Sequence, residues 1–197
     1  MITNINQLDL NKLYTYADYI TWQFTEMVEL IKGKIFKIGS SPNTIHQTVR
    51  GNLMGEIGIF LKKKPCQLYA APFDVRFVKS IEDKEITTIT QPDLCVICDL
   101  SKIDEAGCIG APDFIIEILS PSTRKKDLHD KFDVYEEFLV KEYWIVDPNS
   151  QIIDKFVLEN EKFQFRGKYT NGDKVAVHTL PGLEIDLDDI FENQDIK

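Results

Sequence analysis

The feature that most constrains this chain is a short apolar run with one carboxylate inside it. Residues 114–119 read Phe-Ile-Ile-Glu-Ile-Leu, and a Ser-Pro pair ends the pattern. Such a run predicts a buried strand. Side chains along a strand alternate between its two faces, so Glu117 shares a face with Ile115 and Leu119. Because a buried carboxylate is costly without a hydrogen bond, a proton or a cation, the fold must provide Glu117 with a partner.

The helix predicted after this strand carries a lysine on its apolar side. With about 100° of rotation per residue, one arc of the helix holds the apolar side chains Leu128, Phe132, Tyr135, Phe138 and Leu139. Lys131 falls inside that arc, between Tyr135 and Phe138. It either extends past its neighbours to water or points inward to a polar site beneath the helix, and the helix alone leaves both open.

The order of the predicted elements indicates an α/β (α+β) fold in one domain. A chain of 197 residues suits a single domain with one core of useful size. Hairpins are predicted at 26–38 and 152–169, and amphipathic helices at about 16–24 and from Asn43 to about Leu61. Strands are predicted at 67–78, with an irregularity at Pro72, and at 86–98, interrupted at 91–93, while 101–110 is predicted as a loop. We therefore expect a mixed sheet flanked by at least three helices.

Net charge and hydropathy narrow the possible partners. The formal net charge of −9 argues against a broad electrostatic grip on nucleic acid. A local basic groove stays possible at Lys62-Lys63-Lys64 or Arg124-Lys125-Lys126, although short lysine runs are common on solvated surfaces. No apolar run is long enough to cross a membrane. Residues 1–11 lack a secretion signal pattern, so we expect a cytoplasmic protein.

The four cysteines do not indicate a disulfide framework. Cys95 and Cys98 have CxxC spacing inside an apolar run, but residues three apart in a strand point to opposite faces. The pair therefore should not share a metal or form a bridge. We interpret both as small buried apolar side chains in a reducing compartment, with Cys66 and Cys108 isolated.

Two acids on different predicted strands indicate a candidate metal site. Asp93 directly precedes the apolar run Leu94–Ile97, and the loop before Glu117 would allow the two strands to lie side by side. Two carboxylates and a backbone carbonyl form a hard-oxygen site suited to Mg²⁺ or Mn²⁺. A nearby lysine would orient water or balance charge in a phosphoryl transition state. These parts suit phosphodiester hydrolysis, although Asp93 could instead cap a turn after Pro92.

Two further polar side chains lie on predicted buried elements. Glu29 is a third carboxylate, inside the first strand of the hairpin at 26–38. His46 follows the helix cap Asn43 and lies within the buried arc of that helix. It is either a core histidine with a satisfied hydrogen bond or a group that reaches a site near the helix start. The chain has no Gly-rich phosphate loop, HExxH or GxSxG motif.

The run Gly110–Thr123 resembles the signature of the bacterial Uma-two family, whose members are described as restriction endonucleases and were long classed as a domain of unknown function. The resemblance continues in collinear order from about Tyr16 to Phe191. It includes Val28–Gly33, His46-Gln47, Ala71–Arg76, Gln91–Asp93, Glu142–Pro148 and Leu180–Leu183.

This resemblance implies a restriction-endonuclease-like domain of the PD-(D/E)xK superfamily over residues 1–197, with its core at about 16–191. The implied fold is a mixed central sheet flanked by helices, with additional β-hairpins. Asp93 matches the first acid and Glu117 the second, and the carbonyl of Ile118 would join them on Mg²⁺ or Mn²⁺. The usual lysine stands two residues after the second acid, where this chain has Leu119. Lys131 is the expected substitute, and Glu29 resembles the family's upstream acid.

We therefore expect a metal-dependent endonuclease that hydrolyses DNA and pairs as a homodimer to address both strands. Asp93, Glu117 and Lys131 are its candidate catalytic residues, with Glu29 and His46 as secondary candidates. The alternative is an inactive nuclease-fold protein that binds nucleic acid or a protein partner, with Glu117 and Lys131 as a buried structural ion pair. The acidic net charge and the displaced lysine favour the alternative, whereas two acids beside an inward lysine favour the enzyme.

Overall fold

The computed structural model describes residues 2–37, 43–79, 85–120 and 126–192, with the backbone only at 126–128. The helices in these residues are α1 (Tyr16–Tyr19), α2 (Thr44–Leu61), α3 (Lys126–Glu137) and α4 (Leu187–Phe191). The strands are β1 (Val28–Ile31), β2 (Lys34–Lys37), β3 (Gln67–Ala70), β4 (Val75–Phe77), β5 (Thr88–Thr90), β6 (Leu94–Ile97), β7 (Ile103–Asp104), β8 (Gly107–Ile109), β9 (Phe114–Ile118), β10 (Glu142–Asp147), β11 (Ile152–Glu159), β12 (Lys162–Thr170), β13 (Lys174–Ala176) and β14 (Glu184–Asp186).

The strands form two six-stranded mixed sheets and one small hairpin. The first sheet has the order β2-β1-β5-β4-β8-β7, and the second has the order β12-β11-β10-β9-β6-β3. Each contains one parallel pair, β4 with β8 and β9 with β10. The predicted mixed α/β architecture with additional hairpins is therefore confirmed, although the chain builds two mixed sheets where one was expected.

The chain changes sheet at the two predicted irregularities. β3 and β4 flank a cis Ala71–Pro72 bond and belong to different sheets, as do β5 and β6 on either side of Pro92. Proline has no N–H group and cannot continue a hydrogen-bonded ladder, so a strand ends there. The second crossing places Asp93 at the first residue before β6.

Alternation along β9 separates two cores and directs Glu117 towards one of them. Phe114, Ile116 and Ile118 pack in the core shared with α2 and α4. Ile115 packs in the second core, together with Val134 and other residues of α3. Because Glu117 has the same parity as Ile115, its carboxylate projects to the α3 side of the sheet.

Helix α2 begins at the predicted cap. The side chain of Asn43 accepts the His46 N–H at 2.9 Å. The buried face of the helix follows the helical period and consists of His46, Val49, Leu53, Ile57 and Leu61. This cap fixes where α2 starts, and it places His46 in the first turn, against the second sheet. Among the described helices, none combines the length and apolarity needed to cross a membrane.

Two predicted boundaries differ from the structure. α1 spans only Tyr16–Tyr19, one turn, because Thr15 caps it and Ile20 already ends it. The predicted loop at 101–110 contains the short hairpin β7–β8. Gly107 makes this hairpin possible, since its φ is +125° and a Cβ there would lie 2.2 Å from the Asp74 carbonyl oxygen. Such short strands carry too little periodicity to be recognised.

One cysteine prediction is wrong. Cys66 and Cys98 form a disulfide, with 3.9 Å between their Cα atoms. Gln67 lies opposite Ile97 in the antiparallel pair of β3 and β6, so the two cysteines face each other one position further along. Strand pairing across 32 residues is a tertiary contact that CxxC spacing does not reveal. Cys98 is therefore not a free apolar side chain and Cys66 is not isolated. Cys95 is buried and Cys108 is unbridged, as predicted, and Cys108 is buried as well.

Candidate active site

Strand pairing brings the two candidate acids together. In the antiparallel pair of β6 and β9, Leu94 lies opposite Ile116, so Asp93 and Glu117 are the next opposite residues. The Ile118 N–H donates to Oδ2 of Asp93 at 2.8 Å, which holds Asp93 against the end of β9. Directly opposite residues share one face of a sheet. Asp93 and Glu117 therefore both reach the α3 side.

Lys131 bridges two of the carboxylates. Its Nζ lies 2.9 Å from Oε1 of Glu117 and 2.8 Å from Oε1 of Glu29. The lysine side chain is only 13% exposed, and the two carboxylate side chains are 9% and 5% exposed. The structure thus places the amine inward, at the position beneath α3 that the helical period indicates. Glu29 comes from the first sheet and Glu117 from the second, so this contact joins the two sheets.

A second donor from α3 reaches the same oxygen of Glu117. The Tyr135 hydroxyl donates to Oε1 at 2.6 Å and lies 3.2 Å from the hydroxyl oxygen of Thr90. Tyr135 follows Lys131 by four residues, so the two side chains lie on one face of the helix. The hydrogen bonds from Lys131 and Tyr135 both use Oε1 of Glu117.

A polar network extends from Glu29 to the N-terminal helix. The Gln91 N–H donates to Oε1 of Glu29 at 2.8 Å. The Gln91 side-chain amide donates to Oδ1 of Asp74 at 2.7 Å. The Tyr19 hydroxyl donates to the same oxygen at 3.2 Å. This network holds the carboxylate of Glu29 in place. It also connects Glu29 to the two places where the chain passes from one sheet to the other.

His46 contacts the remaining acid. Its Nε2 lies 3.2 Å from Oδ1 of Asp93, and its side chain is 5% exposed. No described residue offers a hydrogen-bond partner to the buried Nδ1 atom. The histidine is thus buried with one hydrogen-bonding contact, and that contact is to a candidate site residue near the start of the helix.

Burial and charge shift the pKa values of these groups. Burial raises the pKa of Glu117 to about 7; the positive charge of Lys131 opposes this shift, and the charges of Asp93 and Glu29 add to it. Burial lowers the pKa of Lys131, but Glu117 and Glu29 outweigh it, so the pKa lies above its usual range. Burial also raises the pKa of Tyr135. At neutral pH the amine is charged and the phenol keeps the proton that it donates.

The cluster carries more negative than positive formal charge. Lys131 pairs with the carboxylates of Glu29 and Glu117, and Asp93 lies next to Glu117 across the strand pair. Three carboxylates and one lysine leave a formal charge of −2 when the imidazole of His46 is not counted. Of the four buried side-chain atoms that lack a hydrogen-bond partner among the described residues, three belong to this region: Nδ1 of His46, Oε1 of Gln91 and the hydroxyl of Tyr143. Buried polar atoms are normally paired. The region therefore has charge and hydrogen-bonding capacity that the described residues do not satisfy.

The donor set fits a hard divalent cation with few protein ligands. Among the described residues, no group of three or more His, Cys, Asp or Glu side chains is arranged to hold a metal ion. Mg²⁺ usually keeps several waters and binds one or two carboxylates, so a pair of acids is enough. Asp93 and Glu117 supply hard oxygen, and the excess of negative charge matches a divalent ion.

Sequence comparison places the chain in a known family. Residues 16–188 match the model of the Uma2 (Uma-two) family, which is described as "Putative restriction endonuclease". The chain belongs to the Uma2 family. An uncharacterised protein from Synechocystis sp. is 23% identical over 177 residues, which cover 88% of this chain and 89% of that protein. The resemblance stated from the sequence is thereby confirmed.

A solved structure shows the same fold. A crystal structure from Anabaena variabilis, titled as a "putative nuclease belonging to DUF820", superposes with a TM-score of 0.70 at 20% identity. The match covers 90% of this chain and 97% of that chain. This likeness shows that the Uma2 protein has the fold of that neighbour across nearly its whole described length.

The structure brings five of the predicted residues of this Uma2 protein together and adds others. The five are Asp93, Glu117, Lys131, Glu29 and His46, and Ile118 contributes its N–H to Asp93. Sequence reasoning missed the partners Tyr135, Gln91, Asp74 and Tyr19. The sequence did contain a signal for Tyr135, because this residue follows Lys131 by four residues and so lies on the same side of the helix. Its ring counts in the sequence only as part of the apolar face.

The two candidate basic runs do not lie at the cluster in the described structure. Lys62-Lys63-Lys64 is exposed directly after the C-terminal end of α2. An 18-residue helix is about 27 Å long at 1.5 Å per residue, so this run is far from His46 in the first turn. The residues of Arg124-Lys125 lie outside the described part of the chain, and the Lys126 side chain is not described.

Proposed function

We propose that this protein is a divalent-metal-dependent endonuclease that hydrolyses phosphodiester bonds in DNA. The observation that carries the proposal is the inward Lys131 between Glu29 and Glu117, with Asp93 next to Glu117 across the strand pair. The three carboxylates exceed the one amine by two formal negative charges. Membership of the Uma2 family and the fold of the nuclease neighbour support the same reaction class.

Asp93 and Glu117 would hold Mg²⁺ or Mn²⁺, together with the carbonyl of Ile118. When bound, the cation would supply positive charge that stabilises a phosphoryl transition state. Ile118 and His46 orient Asp93 through hydrogen bonds, and Tyr135 orients Glu117. Because these donors come from three different elements, both carboxylates are held before a substrate arrives. This preorganisation is what electrostatic catalysis requires.

Lys131 would replace the lysine that is missing at Leu119. An ammonium group has three N–H donors, and two of them face Glu29 and Glu117. The third donor would hold the attacking water or a phosphate oxygen. Its raised pKa keeps it positively charged throughout the neutral range, so Lys131 acts as a charged donor and not as a general base.

A second candidate is an inactive nuclease-fold protein that binds DNA or a protein partner. The closed ion pairs of Lys131 with Glu29 and Glu117 favour it, because such pairs also serve as purely structural links. The distance of the exposed lysine run from the cluster also favours it. In this case the acids would bind no cation.

A plasmid-nicking assay with Mg²⁺ or Mn²⁺ separates the two candidates. Wild type should nick DNA only with added metal, and Asp93→Ala should lose that activity. Asp133→Ala is the matched control, since Asp133 is exposed on α3. Equal cleavage by wild type and Asp93→Ala would indicate contamination and refute the proposal. Absence of nicking together with absence of Mn²⁺ binding in titration calorimetry would favour the binding protein.

The proposed enzyme would act as a homodimer, because one active site per copy addresses one strand of the duplex. Size-exclusion chromatography with light scattering measures the mass directly. A monomeric mass that persists in the presence of DNA would contradict this part of the proposal while leaving the chemistry of a single site intact.

A further inference from the structure

Both the backbone and the ring of His46 are held in place. Its backbone N–H is bound by the Asn43 side chain at the start of α2, and its ring is buried against the second sheet. The only hydrogen-bonding contact of the ring within the described residues is the one between Nε2 and Oδ1 of Asp93 at 3.2 Å. Among the described residues, the ring of His46 therefore hydrogen-bonds only Asp93, which is a candidate metal ligand.

The contact decides which ring nitrogen carries hydrogen. A carboxylate oxygen accepts hydrogen bonds, so Nε2 is the donor and carries its proton. The buried Nδ1 atom has no hydrogen-bond partner among the described residues, so Nε2 is the ring atom through which His46 acts on its surroundings.

The carboxylate of Asp93 is thereby fixed by two donors. The Ile118 N–H of β9 donates to Oδ2 at 2.8 Å, and His46 of α2 contacts Oδ1. Two bonds from separate elements define the plane of the carboxylate. The arrangement differs from that of Glu117, whose oxygen is bound by the charged amine of Lys131. Among the described residues, Asp93 forms no ion pair with a lysine or an arginine.

We propose that His46 is a positioning residue that orients Asp93 for a divalent cation through its Nε2–H group. The inference rests on the proposed function, because Asp93 is a metal ligand only in that reading. It assigns the two acids different tasks. Asp93 supplies uncompensated charge to the cation, and Glu117 links the cation to Lys131. Groups that hydrogen-bond a metal ligand from behind typically change metal affinity by 10–100-fold when removed.

Mn²⁺ titration calorimetry on four proteins tests this role. The proteins are wild type, His46→Ala, His46→Gln and His178→Ala. Glutamine places an amide N–H near the position of Nε2, so it should restore the bond to Asp93. The exposed His178 controls for the loss of an imidazole elsewhere. We expect His46→Ala to weaken Mn²⁺ binding about 10–100-fold, and His46→Gln and His178→Ala to stay within about threefold of wild type.

Each outcome is decisive. Unchanged affinity in a folded His46→Ala overturns the positioning role while the metal site stands. Equal damage by His46→Ala and His46→Gln also overturns it, because the ring would then bind the cation directly. Wild type that binds no Mn²⁺ overturns the proposed function itself. If His46→Ala does not fold, ¹⁵N NMR of the ring in metal-free wild type still decides: hydrogen on Nε2 supports the role, and hydrogen on Nδ1 alone refutes it.

Discussion

Replacing Glu117 with glutamine should remove a pH-dependent cost of folding. Burial raises the pKa of Glu117 from its ordinary 4.5 to about 7 in the folded protein. Between these two values the unfolded chain has released a proton that the folded chain still holds. Folding stability from this group is therefore fully present below pH 4.5, declines as the pH rises, and is lost above about pH 7.

The size of the effect follows from the two pKa values. One pKa unit corresponds to about 1.4 kcal/mol, so the change from 4.5 to about 7 amounts to about 3 kcal/mol. Glutamine does not titrate, and its side-chain oxygen can still accept hydrogen bonds from Lys131 and Tyr135. As the pH rises from 4.5 to 8, the unfolding free energy of Glu117→Gln should therefore increase by about 3 kcal/mol relative to that of wild type.

Urea denaturation at a series of pH values measures this difference. The experiments need EDTA, because a bound cation would favour the charged carboxylate and mask the cost. Glu105→Gln is the matched control, since Glu105 is exposed in the turn between β7 and β8. Parallel curves for wild type and Glu117→Gln would refute the reasoning. So would a wild type that gains stability over the variant as pH rises, because the ion pair with Lys131 would then outweigh burial.

Three further substitutions test other contacts. Lys131→Met should abolish metal-dependent nicking and cost about 3–5 kcal/mol in stability, because two buried carboxylates lose their cation. Tyr135→Phe should cost about 1–2 kcal/mol and reduce nicking without abolishing it, because Glu117 keeps its bond to the lysine. Replacing both Cys66 and Cys98 with serine should cost about 3–4 kcal/mol, because the bridge closes a loop of 32 residues. Urea denaturation and plasmid nicking measure all three.

Each of these has its own control. Asp133→Ala serves for Lys131→Met, and full nicking by Lys131→Met would show that another residue holds the water. Phe138→Leu, directly after the C-terminal end of α3, serves for Tyr135→Phe as a change of ring without loss of a hydroxyl. For the cysteines, wild type with and without dithiothreitol is the comparison. Equal stability of the two forms would show that the bridge does not stabilise the fold.

Local periodicity accounts for what could be predicted from the sequence. A glutamate among isoleucines required a partner, and the helical period placed Lys131 where that partner stands. The two prolines predicted the strand breaks at which the chain changes sheet. The sheet that each strand joins was not predictable, because pairing between distant strands is a tertiary property. The structure therefore has two mixed sheets where one was expected.

The contacts that escaped prediction share one cause. Cys66 lies opposite Cys98 only because β3 pairs with β6, which the local pattern around either cysteine does not indicate. Tyr135 was assigned to the apolar face because its ring is apolar. Its hydroxyl gains a role only once the carboxylate is known to lie beneath it. Contacts between chain segments that are far apart in sequence cannot be predicted from local residue patterns.

Mounting the amine on a helix changes what the chemistry depends on. The position of an amine two residues after Glu117 would be set by the pairing register of β9, which varies little. The position of the Lys131 amine is set instead by the packing of α3 on the core, through buried side chains such as Val134. A substitution that loosens this packing would displace the amine and leave Asp93 untouched. Loss of activity could therefore arise from core changes that touch neither the acids nor the lysine.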